Sequence, residues 1–126
     1  MEHGHVVDGL TAPVEVVYDR WGVPHVRAHD ADDAFVAQGF TAARDRLFQL
    51  DLWRRRGLGL LSEVLGERYL ERDRAARLFL YRGDMDTEWA AYGAGVRRTA
   101  ELFTSGINAY VALTEREPAL LGPEFA

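Results

Sequence analysis

The sequence predicts an α+β chain in which one N-terminal β-hairpin is followed by about four helices, so that most residues are helical. Residues 14–28 hold two short apolar runs on either side of a glycine-containing turn, a pattern typical of paired strands. Beyond residue 30, apolar side chains recur every three or four positions, which is the helical period. A lone hairpin is marginally stable in water, so we expect the chain to be part of a larger sheet-containing protein.

The hairpin follows a loose lead-in, residues 1–12. The apolar side chains that share one face of its first strand are those of Val14, Val16 and Tyr18. Asp19–Gly22 is predicted to form the turn, because glycine adopts positive φ without steric cost. The second strand, about residues 23–28, is expected to be short or at a sheet edge, because Pro24 cannot donate a backbone hydrogen bond.

The first helix is expected to begin after Asp30, its N-cap, and to end at Arg56 with Gly57 beyond it. Its main apolar stripe consists of Phe40, Ala43, Leu47 and Leu50. Asp51 and Arg55 are four residues apart, and an exposed ion pair at this spacing contributes about 0.3–0.5 kcal/mol.

Two shorter helices are predicted next. The stretch "LLSEVLG" is expected to be helical between Ser62, at the N-cap, and Gly66, which ends it. The stretch "ERYLERDRAARLFLYRG", residues 67–83, is expected to form a third helix.

The last helix is predicted from near Thr87 to about Glu117, where Pro118 stops it. Its apolar stripe keeps helical spacing through Trp89, Tyr92, Val96, Ala100, Phe103, Ile107 and Tyr110. Each glycine inside a helix costs about 1 kcal/mol relative to alanine. We therefore expect the glycines of this stretch to allow close packing against a neighbour: Gly93, Gly95 and Gly106.

Composition excludes several classes of protein. With 126 residues, 48% hydrophobic and 11% aromatic, the chain is not disordered, and its net charge of −5 argues against nucleic-acid binding. It contains no cysteine, which removes disulfides, thiolate metal ligands and a cysteine nucleophile. It shows neither a signal peptide nor the roughly 18–20 apolar residues of a membrane span. As given, we expect it to be cytoplasmic and not bound to a membrane.

Short motifs that could bind phosphate or metal are weak. "GLGLLS" follows a helix rather than a strand and "GAGVRR" is expected inside the last helix, so neither predicts a phosphate-binding loop. Two histidines, His3 and His5, are expected to face solvent at the terminus. Two more, His25 and His29, flank the second strand without a third ligand at fitting spacing, so no metal site is expected.

Acid–base and nucleophile candidates do not form a recognisable order. Asp45 lies between Arg44 and Arg46, and we interpret it as one member of an inward-facing structural Asp–Arg pair rather than as a catalytic group. Ser62 is expected at an N-cap and Ser105 within the last helix, with no Ser/His/Asp arrangement. We assign no catalytic, cofactor-binding or metal-binding residue.

The three consecutive arginines Arg54–Arg56 close the first helix. Such a run could bind anions or a membrane surface. The alternative is a solvated or inter-chain salt-bridging helix end, and positive charge is also favourable near a helix C-terminus. We favour the alternative.

Several blocks in fixed order resemble the start of the α chain of penicillin acylases, a family that also includes cephalosporin acylases and acyl-homoserine-lactone acylases. They are D-x-W-G-V-P-H at residues 19–25, G-F-x-x-A-x-D-R-L-F-Q at 39–49 and R-R-x-G-x-G-x-L-S-E-x-L-G from Arg54. The later "YGAGVRRTAELFTSGINAYV" looks like the long helix of the family. The resemblance covers residues 13–126, as the N-terminal portion of the α chain.

The resemblance implies a fragment of a larger αββα N-terminal-nucleophile hydrolase. Such a precursor cleaves itself into α and β chains, and the amine of the new N-terminal serine of the β chain acts as base, while β-chain groups hold the oxyanion. The calcium ligand and acyl-pocket residues of the α chain lie, by the family's pattern, beyond residue 126. No cofactor is therefore expected in this chain, and calcium is an expectation only for the full-length enzyme.

The implied function is that of a scaffold portion, inactive alone, of an amidohydrolase that splits a linear amide into an acid and an amine. The implied partner is the β chain of the same precursor, and without it we expect self-association. The arginines near Arg54 would then pair with carboxylates across the chain interface. The full-length enzyme could be periplasmic or secreted. The alternative is a free-standing helical interaction module or a decayed remnant.

Overall fold

The structure is a computed structural model that describes residues 4–125, and these residues form two compact units. The first unit comprises residues 4–45 and 92–125, and the second comprises residues 46–91. Within the described residues, a two-stranded hairpin is followed by five α-helices and three short 3₁₀ turns. Helices cover more than half of these residues, which confirms the predicted α+β, mostly helical class.

The hairpin consists of β1 (Glu15–Tyr18) and β2 (Pro24–Arg27), paired antiparallel. Pro24 pairs with Tyr18 at the end of the ladder, where the missing N–H is tolerated. The side chains of Val16 and Tyr18 lie on the more buried face of β1, as the alternation predicted.

The turn between the strands depends on Asp19. One carboxylate oxygen of Asp19 accepts hydrogen bonds from the amides of Trp21 at 2.8 Å and Val23 at 3.0 Å. Gly22 adopts a φ of 77°, which explains the glycine at this position. The predicted turn is thereby confirmed.

Helix α1 spans Ala31–Leu58. The Asp30 carboxylate accepts the Asp33 amide at 2.8 Å, so the predicted N-cap is confirmed. The predicted end is wrong by two residues. Gly57 lies inside the helix, and the chain instead leaves it at Gly59, which has a φ of 67°.

One residue within α1 departs from helical torsions. Arg46 has a φ of −143° and a ψ of 25°, so that two helical segments meet at this position. The division between the two units falls at the same place, between Asp45 and Arg46. The single regular helix predicted from the sequence is therefore interrupted.

Helix α2 (Ser62–Leu65) ends at Gly66, whose φ of 87° is positive, as expected for a helix-ending glycine. The third predicted helix proves shorter than residues 67–83: a 3₁₀ turn precedes α3, which spans Leu70–Leu78. The guanidinium of Arg82 donates to the carbonyl of Arg77 at 2.7 Å. The Arg82 side chain thus donates a hydrogen bond to a carbonyl that would otherwise accept one from the backbone amide of a further helical turn.

The predicted last helix is in fact two helices, α4 (Met85–Ala91) and α5 (Val96–Arg116). Asp84 begins α4, because its carboxylate accepts the amide of Thr87 at 3.0 Å. Gly95, with a φ of 87°, stands immediately before α5, so "GAGVRR" begins before the helix rather than lying inside it. The expectation that Gly93 and Gly95 allow close helix packing is wrong, because both belong to the connection.

The core of the first unit forms where α1 and α5 cross. A Cβ built on Gly106 would collide with the backbone of Val36 and Phe40, and one built on Gly39 would collide with the backbone of Phe103. Close packing at Gly106 is therefore confirmed. The apolar side chains buried in this unit are those of Val36, Ala37, Ala43, Tyr110 and Leu113.

Candidate functional site

The first unit contains an open cavity of about 370 Å³ between its N-terminal segment and α1. Most of its lining is apolar: Val7, Leu10, Pro13, Val14, Val16, Ala37 and Phe40. Polar groups enter from His5, Thr41 and Arg44. The hydroxyl of Thr41 donates to the carbonyl of Ala37 at 3.0 Å, so it is already used within the helix.

Asp45 follows Arg44, which lines this cavity, but does not form the predicted inward-facing pair with a neighbouring arginine. Its exposed carboxylate accepts the hydroxyl of Tyr18 at 3.2 Å. The guanidinium of Arg44 instead lies 4.5 Å from the centre of the Tyr18 ring, a cation–π contact. Burial is the main cause that raises the pKa of Tyr18, so its hydroxyl remains a neutral donor at physiological pH. The cluster joins the hairpin to α1 and has a structural role.

A buried carboxylate ties the lead-in to α1. Asp33 accepts hydrogen bonds from the amide of Thr11 at 2.8 Å, the hydroxyl of Thr11 at 2.9 Å and the amide of Ala12 at 3.1 Å. The bond from the Thr11 amide is the main cause that lowers the pKa of Asp33. This anchoring role of Asp33 was not predicted from the sequence.

The beginnings of α1 and α5 are joined by an ion pair between Asp32 and Arg98, 66 residues apart in sequence. The Nε of Arg98 donates to the Asp32 carboxylate at 3.0 Å. Nothing in the sequence pattern predicted this pairing.

The arginines at the end of α1 have carboxylate partners within the second unit. Asp51 pairs with Arg54 and with Arg55, each at 2.7 Å, which confirms the predicted Asp51–Arg55 pair. Arg55 also pairs with Glu63 at 2.9 Å. The run thus forms a salt-bridging helix end, but Arg54 and Arg55 pair with carboxylates of the same chain rather than with a second chain as predicted.

The second unit is held by a buried carboxylate, that of Asp73 on α3. One of its oxygens accepts the amide of Leu61 at 3.0 Å, and the other accepts the amide and hydroxyl of Ser62 at 2.7 and 2.6 Å. The prediction of Ser62 as a helix N-cap is wrong: Leu61 occupies that position, and Asp73 supplies the acceptor for the first turn of α2. Nearby, Arg77 donates to the carbonyl of Gly59 at 3.0 Å.

The second unit should lose stability in acid through Asp73. Burial pulls the pKa of Asp73 upward, but the hydrogen bonds from Ser62 and Leu61 outweigh burial and leave it below its ordinary value. A carboxyl whose folded pKa lies below an unfolded value of about 3.9 stabilises the fold above that pH and loses this contribution as the pH falls through it. We expect Asp73→Asn to be less stable than the original chain at pH 6. The amide group would also place a donor against a backbone N–H.

Thermal unfolding between pH 6 and pH 3 tests this, with helix content as the signal. Asp73→Asn should show a smaller fall in Tm over this range than the original chain does. Asp8→Asn, which alters an exposed carboxylate of the lead-in, serves as the control and should keep the original slope. An unchanged slope in Asp73→Asn would contradict the assignment.

Neither serine hydroxyl hydrogen-bonds a histidine among the described residues. The hydroxyl of Ser62 donates to Asp73, and that of Ser105 donates to the carbonyl of Leu102 at 2.7 Å. Each hydroxyl therefore serves a local structural bond, and Ser105 lies within α5 as predicted.

The histidines are dispersed. His25 Nε2 lies 3.2 Å from the Asp19 carboxylate on the hairpin, and the His5 ring lies 6.0 Å from the Phe40 ring. His3 lies outside the described residues. In the part of the chain that the structure describes, no three His, Asp or Glu side chains are grouped for metal binding. The absence of a metal site remains a prediction.

Among residues 4–125, no helix has the combination of length and apolar character that crossing a bilayer requires.

The sequence is similar to that of known proteins of one family. Residues 13–126 match the model of the penicillin amidase family. The chain is 38% identical over 121 residues to the penicillin acylase 2 proenzyme of Pseudomonas sp. (strain SE83), a match covering 94% of this chain and 16% of that protein. It is 28% identical over 114 residues to penicillin G acylase of Escherichia coli, covering 90% of this chain and 14% of that one. The chain thus spans only about a sixth of the length of these relatives.

The fold leads to the same family. A solved structure of a thermostable penicillin G acylase from Alcaligenes faecalis superposes with a TM-score of 0.78 at 33% identity, covering 90% of this chain and 60% of that one. An acyl-homoserine lactone acylase of Pseudomonas aeruginosa is 30% identical over 105 residues, which cover 83% of this chain and 12% of that protein. Sequence and fold agree that the chain belongs to the penicillin amidase family.

Proposed function

We propose that the chain is the N-terminal, α-chain portion of a penicillin acylase-like amidohydrolase, which hydrolyses a linear amide to an acid and an amine. The observation that carries the proposal is the family match over residues 13–126, in the same region where the fold matches a penicillin G acylase. The name "proenzyme" of the Pseudomonas sp. relative supports a role within a larger precursor whose remaining polypeptide is the partner.

Within that enzyme, the chain acts as scaffold and is inactive alone. The hydroxyl of Ser62 donates to Asp73, whose pKa is lowered by its hydrogen bonds, so that this carboxylate is a weak base. The hydroxyl of Ser105 donates to the backbone carbonyl of Leu102, which is not a base. An activated nucleophile requires an adjacent base that can take its proton. The chain's buried carboxylates, Asp33 and Asp73, accept hydrogen bonds from backbone amides and hydroxyl groups of their own units. The side chains with acid–base chemistry thus stabilise local structure.

The test has two arms. The chain alone should show no turnover of a chromogenic phenylacetyl amide or of an acyl-homoserine lactone above a heat-denatured control. In the second arm, residues 13–126, which match the family model, replace the matching segment of the Pseudomonas sp. proenzyme. This chimera should be soluble, should be converted to shorter polypeptides and should hydrolyse an amide, whereas the same proenzyme without the segment should not.

Either arm can overturn the proposal. Turnover by the isolated chain that scales with its concentration would contradict the scaffold role. A chimera that stays insoluble and unprocessed, while the unaltered proenzyme matures under the same conditions, would show that this chain is not an acylase N-terminal portion.

A further inference from the structure

An aromatic-walled groove lies on the second unit. It has a volume of about 430 Å³ and is lined by Trp53, Arg56 and Gly57 of α1 and by Ala76 and Phe79 at the end of α3. Trp53 is 76% exposed and Phe79 is 88% exposed. Large apolar side chains that are exposed together usually mark an interaction site. We call these five residues the α1–α3 groove.

No contact among residues 4–125 requires the glycine at position 57, which lines the groove. It lies inside α1 and does not have positive φ, and a Cβ at this position would meet no atom within 4 Å. A glycine inside a helix costs about 1 kcal/mol relative to alanine. Gly57 and Ala76 are the two small residues of the lining, and they leave the groove open to close approach by a group from outside the described residues.

Arg56 supplies a charge at the groove. Its neighbours Arg54 and Arg55 are neutralised by Asp51 and Glu63, but Arg56 has no carboxylate partner among residues 4–125. Trp and Arg are the side chains that most often contribute strongly to binding at protein interfaces. The chemistry therefore fits a segment that presents an apolar side chain next to a carboxylate.

We propose that the α1–α3 groove docks the remaining polypeptide of the same precursor. An apolar side chain of that polypeptide enters between Trp53 and Phe79, over Gly57, and an adjacent carboxylate pairs with Arg56. This inference rests on the proposed function and names the surface through which the scaffold holds its partner.

The length of the relatives argues for this occupant. The chain spans 16% of the Pseudomonas sp. proenzyme and 14% of the Escherichia coli enzyme, so most of such an enzyme lies outside the groove-bearing segment. A segment covalently attached to the same precursor meets the groove at an effective concentration that reaches the millimolar range for short linkers. A second copy of the chain must instead associate from dilute solution.

The experiment fills the groove without removing any contact. Gly57→Leu is introduced into the Pseudomonas sp. chimera that carries residues 13–126 of this chain. A Cβ at position 57 has no neighbour within 4 Å, and Gly57 lines the groove, so we expect the added side chain to extend into the groove without displacing the backbone. The matched control is Ala75→Leu, which adds the same side chain to an exposed position of α3 that does not line the groove.

Loss of an interface contact of this kind weakens association by about tenfold or more. We therefore expect Gly57→Leu to lower the yield of soluble, processed chimera at least about tenfold, whereas Ala75→Leu leaves it unchanged. Circular dichroism of the isolated chain should show that Gly57→Leu unfolds at no lower temperature than the original, so that the defect lies in docking. Arg56→Glu should give the same defect by reversing the charge.

Several results would overturn the inference. If the chimera with Gly57→Leu matures like the control, the groove is not covered in the enzyme. The proposed function would then stand without this inference. Failure of the chimera without any substitution would remove the proposed function and the inference with it. Two further results would assign the groove to another partner if the chimera with Gly57→Leu still matures. Loss of self-association of the isolated chain would show that the groove binds a second copy. Loss of co-sedimentation of the isolated chain with anionic phospholipid vesicles would show that it binds a membrane surface.

Discussion

Replacing Gly106 by alanine should lower the free energy of unfolding by about 3 kcal/mol, at the upper end of the usual cost of overpacking. The added methyl group would lie 2.9 Å from the carbonyl carbon of Val36 and 2.8 Å from the amide nitrogen of Phe40. Both atoms belong to the backbone of α1, so no rotamer change can relieve the collision. The helices must separate, which loosens packing along the whole core of the first unit.

Urea unfolding followed by helix content at several chain concentrations measures this effect. The control is Gly57→Ala, which adds a methyl group to α1 in open space and should leave stability unchanged or raise it by up to about 1 kcal/mol. Gly39→Ala meets the backbone of Phe103 from the other helix and should resemble Gly106→Ala. Stability of Gly106→Ala equal to that of Gly57→Ala would contradict the close crossing of α1 and α5.

Elements specified by local chemistry could be predicted from the sequence. The turn at Asp19 and Gly22 and the cap at Asp30 depend on residues within four positions of one another. The pair of Asp51 with Arg55 likewise lies within a single helix. In each case the residue type and its spacing determine the contact, so the prediction required no knowledge of the tertiary structure.

Helix boundaries were less predictable, because apolar side chains at helical spacing favour continuing the helix whereas a glycine favours ending it. The apolar stripe from Trp89 to Tyr110 keeps helical spacing across Gly93 and Gly95, yet Gly95 adopts positive φ and separates α4 from α5. At Gly57 the opposite occurs, and the helix continues past a glycine until Gly59. The spacing of apolar side chains alone does not predict which glycine adopts the left-handed backbone conformation that ends a helix.

The buried carboxylates could not be assigned because their partners are distant in sequence. Asp33 accepts from Thr11, and Asp73 accepts from Ser62, with separations of 22 and 11 residues. An aspartate near a helix start is equally consistent with a dipole contact, and only the tertiary structure distinguishes the roles. Asp45 was misinterpreted for the same reason, since its partner Tyr18 lies on the hairpin.

Tyr110 fixes the C-terminal part of α5 in the core of the first unit. Its side chain is 5% exposed, and its ring meets that of Phe40 edge to face, with centroids 5.4 Å apart and planes at 88°. Its hydroxyl donates to the carbonyl of Leu120 at 3.2 Å, which ties the 3₁₀ turn after α5 back to the helix. Two contributions, ring packing and one hydrogen bond, are thus combined in one side chain.

Tyr110→Ala should lower the free energy of unfolding by about 3–5 kcal/mol, the range for removing a buried aromatic side chain, because it leaves a cavity against Phe40. Tyr110→Phe keeps the ring and loses only the part-buried hydrogen bond to the Leu120 carbonyl, so it should cost about 0.5–1.5 kcal/mol. Urea unfolding of the three proteins measures both values. In the Pseudomonas sp. chimera, the same order should appear in the yield of processed enzyme, because a scaffold must fold before it can hold a partner. Equal destabilisation by the two substitutions would show that the hydrogen bond to Leu120, and not the packing of α5 on α1, holds this part of the unit together.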